Sequence, residues 1–566
     1  MKHRAFRSII LAILALLSVV PAVYPRQEKK PKSITPVTPI TPITIEMAEP
    51  AQKIMGLNFD RAKLDSALEN LVEQLEGFEK IRSIALPNNV PPAILFNPIP
   101  VGFQFEKAKK SFKMSPPGKV VRAKNIEDLA FYSVGQLAEL IRTRTVTSEQ
   151  LTVMYLNRLK KYGPKLECVV TLTEDLALKQ AKQADKEIAK GKYRGPLHGI
   201  PFGVKDLLSV KGYKTTWGSV PYKDQVIDED ATVVKRLENA GAVLMAKLTM
   251  GELAMGDVWF GGKTRNPWNY KQGSSGSSAG AASATAAGLV GFSIGTETLG
   301  SIVSPSTRCG TTGLRPTYGR VSRTGAMALS WSMDKIGPIC RTVEDCALVF
   351  NAIQGADGVD QTLYEAPFNY DPKVDWKKLR VGYLKMEFDS VRSNKSISDS
   401  VLTVLRKLGA QLIPIELPKL PLDGLRIILS AEAAAAFDDL TRSGKDDLMV
   451  RQMKGAWPNS FRSSRFIPAV EYIEANRVRY LVIQEMQKLM KNIDIYVAPS
   501  FGGSNLLLTN LTGHPCVVLP DGFTKEGTPT SISFIGQLFG EAKLLAVAKQ
   551  FQDATDYHLK HPNLQE

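Results

Sequence analysis

The sequence predicts an α/β fold around a largely buried β-sheet. Helical periodicity alternates with short apolar runs from residue 125 onward, the pattern of strands interleaved with helices. The runs are apolar throughout rather than alternating, as strands covered on both faces are. Between Gly273 and Ser301 lies a stretch dominated by Gly, Ser and Ala, which lets backbone approach backbone or substrate closely.

Taken in order, Met1-Lys-His-Arg-Ala-Phe-Arg7, the apolar run Ile9 to Val20 and then Pro21-Ala22 have the charged, apolar and small-residue parts of a secretory signal. The expected cleavage follows Ala22, which makes the chain exported, periplasmic or secreted. Val23 and Tyr24 extend the apolar stretch, so an uncleaved N-terminal anchor is the alternative, and only that form would engage a membrane. Residues 23–50 read as a semi-rigid spacer, with Thr35-Pro-Val-Thr-Pro-Ile-Thr-Pro-Ile43 repeating every third residue.

Residues 51–124 form an N-terminal helical and Pro-rich extension. Leu64, Leu68, Leu71, Leu75 and Phe78 recur at helical spacing, predicting one amphipathic helix over Asp60–Phe78. It either packs on the main globular body or makes a homodimer or partner contact; two heptads are short for a coiled coil. Leu86 to Pro100 carries too many prolines for a helix or a central strand and is expected to wrap the surface, where it could line an entrance to the site.

The main globular body begins near residue 125. Ser133–Arg144, Thr147–Tyr162 and Glu174–Lys190 read as helices. Cys168–Leu172, Ala242–Met245, Leu289–Ile294, Leu379–Tyr383 and Ile493–Ala498 read as strands. Gly288 is placed to cap a small-residue helix before it.

With 566 residues, 44% of them hydrophobic, the chain can bury a large core. The formal charge of +16 falls to about +13 without Lys2, Arg4 and Arg7, and basic clusters interleaved with aromatics are not evident, so no nucleic-acid partner is expected. Five cysteines are too sparse for a disulfide scaffold. H-E-x-x-H, paired C-x-x-C and phosphate-loop motifs do not occur, and neither a metal nor a cofactor is expected.

Four segments carry a resemblance: Gly273-Ser-Ser-Gly-Ser-Ser-Ala-Gly280 through to Ser301, His198-Gly-Ile-Pro-Phe-Gly-Val-Lys205-Asp upstream, Cys309 to Arg323 with Asp334-Lys-Ile-Gly-Pro338, and Leu508 to Pro515. In this order they resemble the amidase signature family of serine hydrolases, over roughly Asn125 to Pro562. The resemblance implies a mixed sheet surrounded by helices and an amidohydrolase acting on linear amides. It further implies a catalytic set of a nucleophilic Ser, a second Ser preceded by a cis peptide bond, and a Lys. Aligned on this sequence, these are Ser301, Ser277 and Lys205, with Ser274 as the alternative register for the second serine because Gly-Ser-Ser occurs twice.

The residues suit those roles. A hydroxyl needs a base to attack an amide, and a lysine can serve when burial removes its charge; Lys205 lies beside Ile200-Pro-Phe-Gly-Val. A buried lysine can equally be tied in an ion pair, here with Asp206. The N–H groups of Thr298, Leu299, Gly300 and Ser301 are the expected oxyanion donors. Leu299 departs from the Gly usual in the family and is expected to narrow the room above the site. Val303 stands where many members have Arg, which puts recognition of an anionic substrate group in doubt. Met255, Trp259 and Phe260 are candidates for the acyl pocket or for core packing.

Three other readings compete with an exported amidase that takes a small-molecule or peptide amide. Gly276-Ser-Ser278-Ala-Gly280 also satisfies the G-x-S-x-G elbow of α/β-hydrolase esterases, with His198 and His514 in suitable order, although the preceding Asn266-to-Gly273 segment reads as a loop rather than the strand that an elbow needs. The departures at Leu299 and Val303 suit a catalytically dead amidase-like binding protein. A cytoplasmic glutaminase subunit of tRNA-dependent amidotransferases fits the motifs but not the export signal.

Overall fold

Eleven strands make one mixed sheet through the larger part of the chain: β1 (Val169–Leu172), β2 (Pro201–Lys205), β3 (Val243–Leu248), β4 (Phe292–Glu297), β5 (Thr312–Arg315), β6 (Lys335–Cys340), β7 (Arg380–Leu384), β8 (Gln411–Ile415), β9 (Ile495–Pro499), β10 (Cys516–Phe523) and β11 (Pro529–Gly536). Their spatial order is β1-β3-β2-β4-β6-β5-β10-β11-β9-β7-β8. β2 is parallel to both its neighbours, β3 and β4, while β4, β6, β5 and β10 run antiparallel in succession. The computed structural model describes residues 43–116, 118–391 and 393–564.

Every residue of β2, β3, β4 and β6 is buried, and among their apolar and small residues Lys205, Lys247, Glu297 and Lys335 are charged groups taken into the core. Phe202 of β2 faces Phe292 of β4 in register, and their rings stack at 5.3 Å. Helices cover the sheet, and their starts are fixed locally. Ser133 and Thr147 each accept the N–H of a glutamine three residues on, and that glutamine's side chain accepts the cap's N–H in return. The helices they begin, Val134–Arg142 and Ser148–Leu166, follow the sequence expectation.

The small-residue helix, Ala279–Ala286, is buried along its whole length, and Gly288 (φ 63°) follows it. A Cβ on Gly280 would lie 2.4 Å from the Cys168 carbonyl oxygen and 2.5 Å from the Thr249 nitrogen, closer than any side chain allows. The run of small residues is therefore required by close backbone contact rather than by linker flexibility. All five cysteines are free and buried. No helix among the described residues is long and apolar enough to cross a membrane.

Contacts divide the chain into a unit ending at Pro87 and one beginning at Asn88. The signal segment, residues 1–22, and the spacer as far as residue 42 lie outside the described residues. Within the first unit, the expected spacer 23–50 is corrected at its end, where Ile45–Ile54 is a helix that contains Pro50. The reason is packing: Ile45 and Ala48 are buried against Leu64, with Leu68 and Leu71 alongside. The second helix spans Arg61–Arg82, longer than Asp60–Phe78; Asp60 caps it by accepting the Lys63 N–H at 2.9 Å, and an Arg82–Glu79 pair at 2.7 Å holds the extra turn. In the second unit, residues 88–100 form neither helix nor strand, as their prolines require.

Candidate active site

Lys205 ends β2 with its ammonium wholly buried. Its Nζ lies 2.7 Å from Ser277 Oγ, 2.8 Å from Thr296 Oγ1 and 3.3 Å from Ser278 Oγ, donating toward each. The Gly276–Ser277 peptide bond is cis. The hydroxyl of Ser274 turns elsewhere and donates to the Ser275 carbonyl at 2.8 Å, so only Ser277 of the two registers meets Lys205.

Asp206 is not the lysine's partner. Successive side chains leave an extended backbone on opposite sides, and Asp206 pairs with Lys247 at 2.9 Å while accepting the Thr216 N–H at 2.9 Å. Lys205 thus has no carboxylate within ion-pair distance among the described residues. Burial brings its pKa down to about 7, against a weaker upward pull from Asp334 and Glu297.

Ser301 lies on the turn after β4, and its carbonyl accepts the Ser278 N–H at 3.2 Å. Ser278 is tied to β4 as well: its hydroxyl accepts the Thr296 N–H at 3.1 Å and donates to the Thr296 carbonyl at 3.0 Å. Gly300 has φ 86°, a conformation that a side chain disfavours, and bends the chain between Leu299 and Ser301. The N–H groups of Leu299, Gly300 and Ser301 have no acceptor among the described residues, as donors awaiting an oxyanion would.

Glu297 organises that turn. Its carboxylate accepts the N–H groups of Ile302 at 2.8 Å and Val303 at 2.9 Å, a bond from Arg315 at 2.7 Å and one from Asn510 at 2.9 Å. Burial alone would raise its pKa; Arg315 and these N–H donors override that and hold it at about 2. Thr298 donates to Asp334 at 2.6 Å, and Asp334 accepts the Leu329 and Ser330 N–H groups at 2.8 and 2.9 Å. A second buried lysine, Lys335, directs its Nζ at the carbonyls of Met333 and Thr298, the latter at 3.5 Å, and burial lowers its pKa well below the usual value.

Two expectations are corrected here. Leu299 packs against the apolar cluster of Met333, Leu425 and Leu508 instead of narrowing the site. Met255 and Trp259 do not line the cavity of about 930 Å³ that reaches Thr296, Thr298 and Lys335, and neither do Lys205, Ser277 and Ser301. Met255 packs on the main core, and the tight Val258–Lys263 hairpin folds the Trp259 ring onto Gly261, beside Phe260 at 4.9 Å. The segment before the elbow-like motif is a short hairpin, Arg265–Asn266 with Asn269–Gly273, rather than a loop. It is no part of the central sheet. Val303 is buried with Cys516 and Val518.

Ser278 has no histidine within hydrogen-bond reach among the described residues; His198 lies 3.5 Å from Glu187, and His514 shares a bond with Thr512. Thr296, Glu297 and Asp334 are site residues that sequence reasoning left without a role. They sat inside the quoted motifs, but nothing local marks a Thr or Glu as the neighbour of a lysine on another strand.

Fold and site together put the chain in the class of amide-hydrolysing enzymes of α/β architecture. The family follows from comparison: the Amidase family model matches residues 150–508, and the chain belongs to that family. It is 33% identical over 485 residues to a glutamyl-tRNA(Gln) amidotransferase subunit of Coxiella burnetii (strain Dugway 5J108-111), covering 76% of this chain and 99% of that protein. The corresponding subunit of Acinetobacter baumannii (strain AYE) is 34% identical over 492 residues, covering 78% and 99%. Among solved structures, the peptide amidase from Stenotrophomonas maltophilia superposes with a TM-score of 0.70 at 30% identity, covering 78% of this chain and all of that one.

Proposed function

We propose that the protein is an exported amidase that cleaves a carboxamide or C–N amide bond through an acyl-enzyme on Ser301. The observation that carries this reading is the contact of a buried, carboxylate-free Lys205 with Ser277 at 2.7 Å. With Lys205 neutral, its lone pair takes the Ser277 proton, Ser277 takes that of Ser301, and Ser301 Oγ attacks the amide carbon. The oxyanion is received by the N–H groups of the Leu299–Ser301 turn. Collapse breaks the C–N bond, the relay returns a proton to the departing nitrogen, and water then releases the acid by the same path. Labelling the protein with a fluorophosphonate and mapping the modified peptide tests it. Modification of Ser301 that disappears in Lys205→Ala is expected; modification of Ser278 instead would move the chemistry to an esterase elbow.

The pH profile follows from the lysine. The base works only when deprotonated, so kcat/KM is expected to climb about tenfold per pH unit below pH 7 and level off above it, with a midpoint near the value of about 7 that burial gives Lys205. A profile flat from pH 5 to 9 argues against lysine as the base. Export rests on residues 1–22: an N-terminus at Val23 in protein recovered outside the cytoplasm is expected, and an intact Met1 in a cytoplasmic fraction contradicts it.

A further inference from the structure

We infer that residues 88–97, upstream of the family match, form a wall of the substrate cavity and select amides bearing an extended apolar arm. The inference rests on the reading of Ser301 as nucleophile.

The segment is fastened at both ends. Asn88 donates to the carbonyls of Ala328 at 2.9 Å and Ala436 at 3.3 Å and accepts the Ala328 N–H at 2.7 Å. At the other end the Phe96 ring lies 3.5 Å from the Arg479 guanidinium and edge-on to Tyr318 at 5.1 Å, and Asn97 accepts from the Tyr364 hydroxyl at 3.1 Å. Arg479 in turn holds Ser332, itself a cavity residue, through bonds of 2.8 and 3.0 Å.

Between these anchors Pro91, Pro92, Ile94 and Leu95 border the same cavity of about 930 Å³ that reaches Thr296 and Thr298. That is near the top of the roughly 300–1,000 Å³ range of sites that enclose drug-sized ligands, and far more than a primary amide alone fills. Ile94 is 84% exposed and Leu95 42% exposed, and across the cavity Ile473 and Tyr480 are exposed as well. Apolar side chains left uncovered along a cavity that reaches Thr298, three residues before Ser301, are what a substrate's apolar portion would cover. Prolines fit a wall that turns at 88–89 and bends at 93–94 without a hydrogen-bonded strand partner.

The test is a chain-length series run on the full protein in two arms, linear primary amides from acetamide to decanamide and N-alkyl acetamides of matching length, which place the arm on the acyl or the amine side. Each methylene covered by the wall is expected to raise kcat/KM about fourfold in one arm. The Ile94→Ser/Leu95→Ser variant, altered at exposed positions that leave the core intact, is expected to reduce this to about twofold, while Met386→Ser, exposed elsewhere, keeps the full slope. A slope that is flat in both arms, or equal in variant and wild type, overturns the inference. Calorimetric binding of the same amides to Ser301→Ala separates it from the catalytic reading. Length-dependent binding that the wall variant weakens, without hydrolysis by the wild type, overturns the nucleophile assignment and leaves the cavity wall standing.

Discussion

Ser301→Ala is expected to lower amide hydrolysis by on the order of 10⁴-fold or more, and Lys205→Ala by a comparable amount. The two losses are expected not to add, because in the proposed relay nucleophile, bridging serine and base share one proton path; the double variant should be no worse than either single one. Lys205→Ala leaves a hole in a wholly buried wall beside Ser277, Ser278 and Thr296, so Lys205→Met is the better control for packing: it keeps the side-chain length and cannot take a proton. Steady-state kinetics on a primary amide, with circular dichroism to show folding, checks both. Near wild-type turnover in a folded Lys205→Met protein would remove the lysine from the mechanism. Ser277→Ala should retain more activity than either, since water can occupy the vacated hydroxyl position and pass the proton.

The largest stability effect is expected at Glu297. Glu297→Ala leaves Arg315 charged and wholly buried, and strips acceptors from the N–H groups of Ile302 and Val303 and from Asn510. Breaking one side of a buried pair of this kind costs about 3–5 kcal/mol, read from urea unfolding. Replacing both members, Glu297→Leu with Arg315→Met, should recover only part of that, because the two backbone N–H groups still lose their acceptor; full recovery would mean that Arg315 alone set the cost. The pair also has a pH signature. A carboxyl held at about 2, below its ordinary 4.5, contributes stability that is complete above pH 4.5 and is lost as pH falls toward 2. Activity should fall with stability in Glu297→Ala, since this carboxylate holds the backbone just beyond Ser301.

Much of the architecture was legible because its causes are local. Ser133, Thr147 and Asp60 cap the helices they precede, apolar runs became buried strands, and the small residues from Ala279 to Ala286 became a helix that touches other backbone. Motif order brought Lys205 and Ser301 forward as candidates together. Local signals failed to close the choice of register where identical surroundings recur: motif alignment places Ser277 first, but Ser274 also follows a glycine and precedes a serine, and the path of the chain over Lys205 brings Ser277 to it. They failed again at Ile45–Ile54, where a neighbouring helix supplies the apolar surface that makes a Pro-containing segment helical.

What the sequence determined by itself is therefore the set of chemical groups and the elements that carry them: a lysine at the end of an apolar strand, serines among glycines, and a turn too small to cover its own N–H groups. What only the tertiary structure decided is who meets whom. Asp206 went to Lys247 and left Lys205 to the serines, Glu297 went to Arg315 and Asn510, and Leu299 turned into the core. The physical reason is that side chains alternate across a strand and partners come from strands far apart in sequence, so one residue of register decides whether a lysine meets a carboxylate or only hydroxyls.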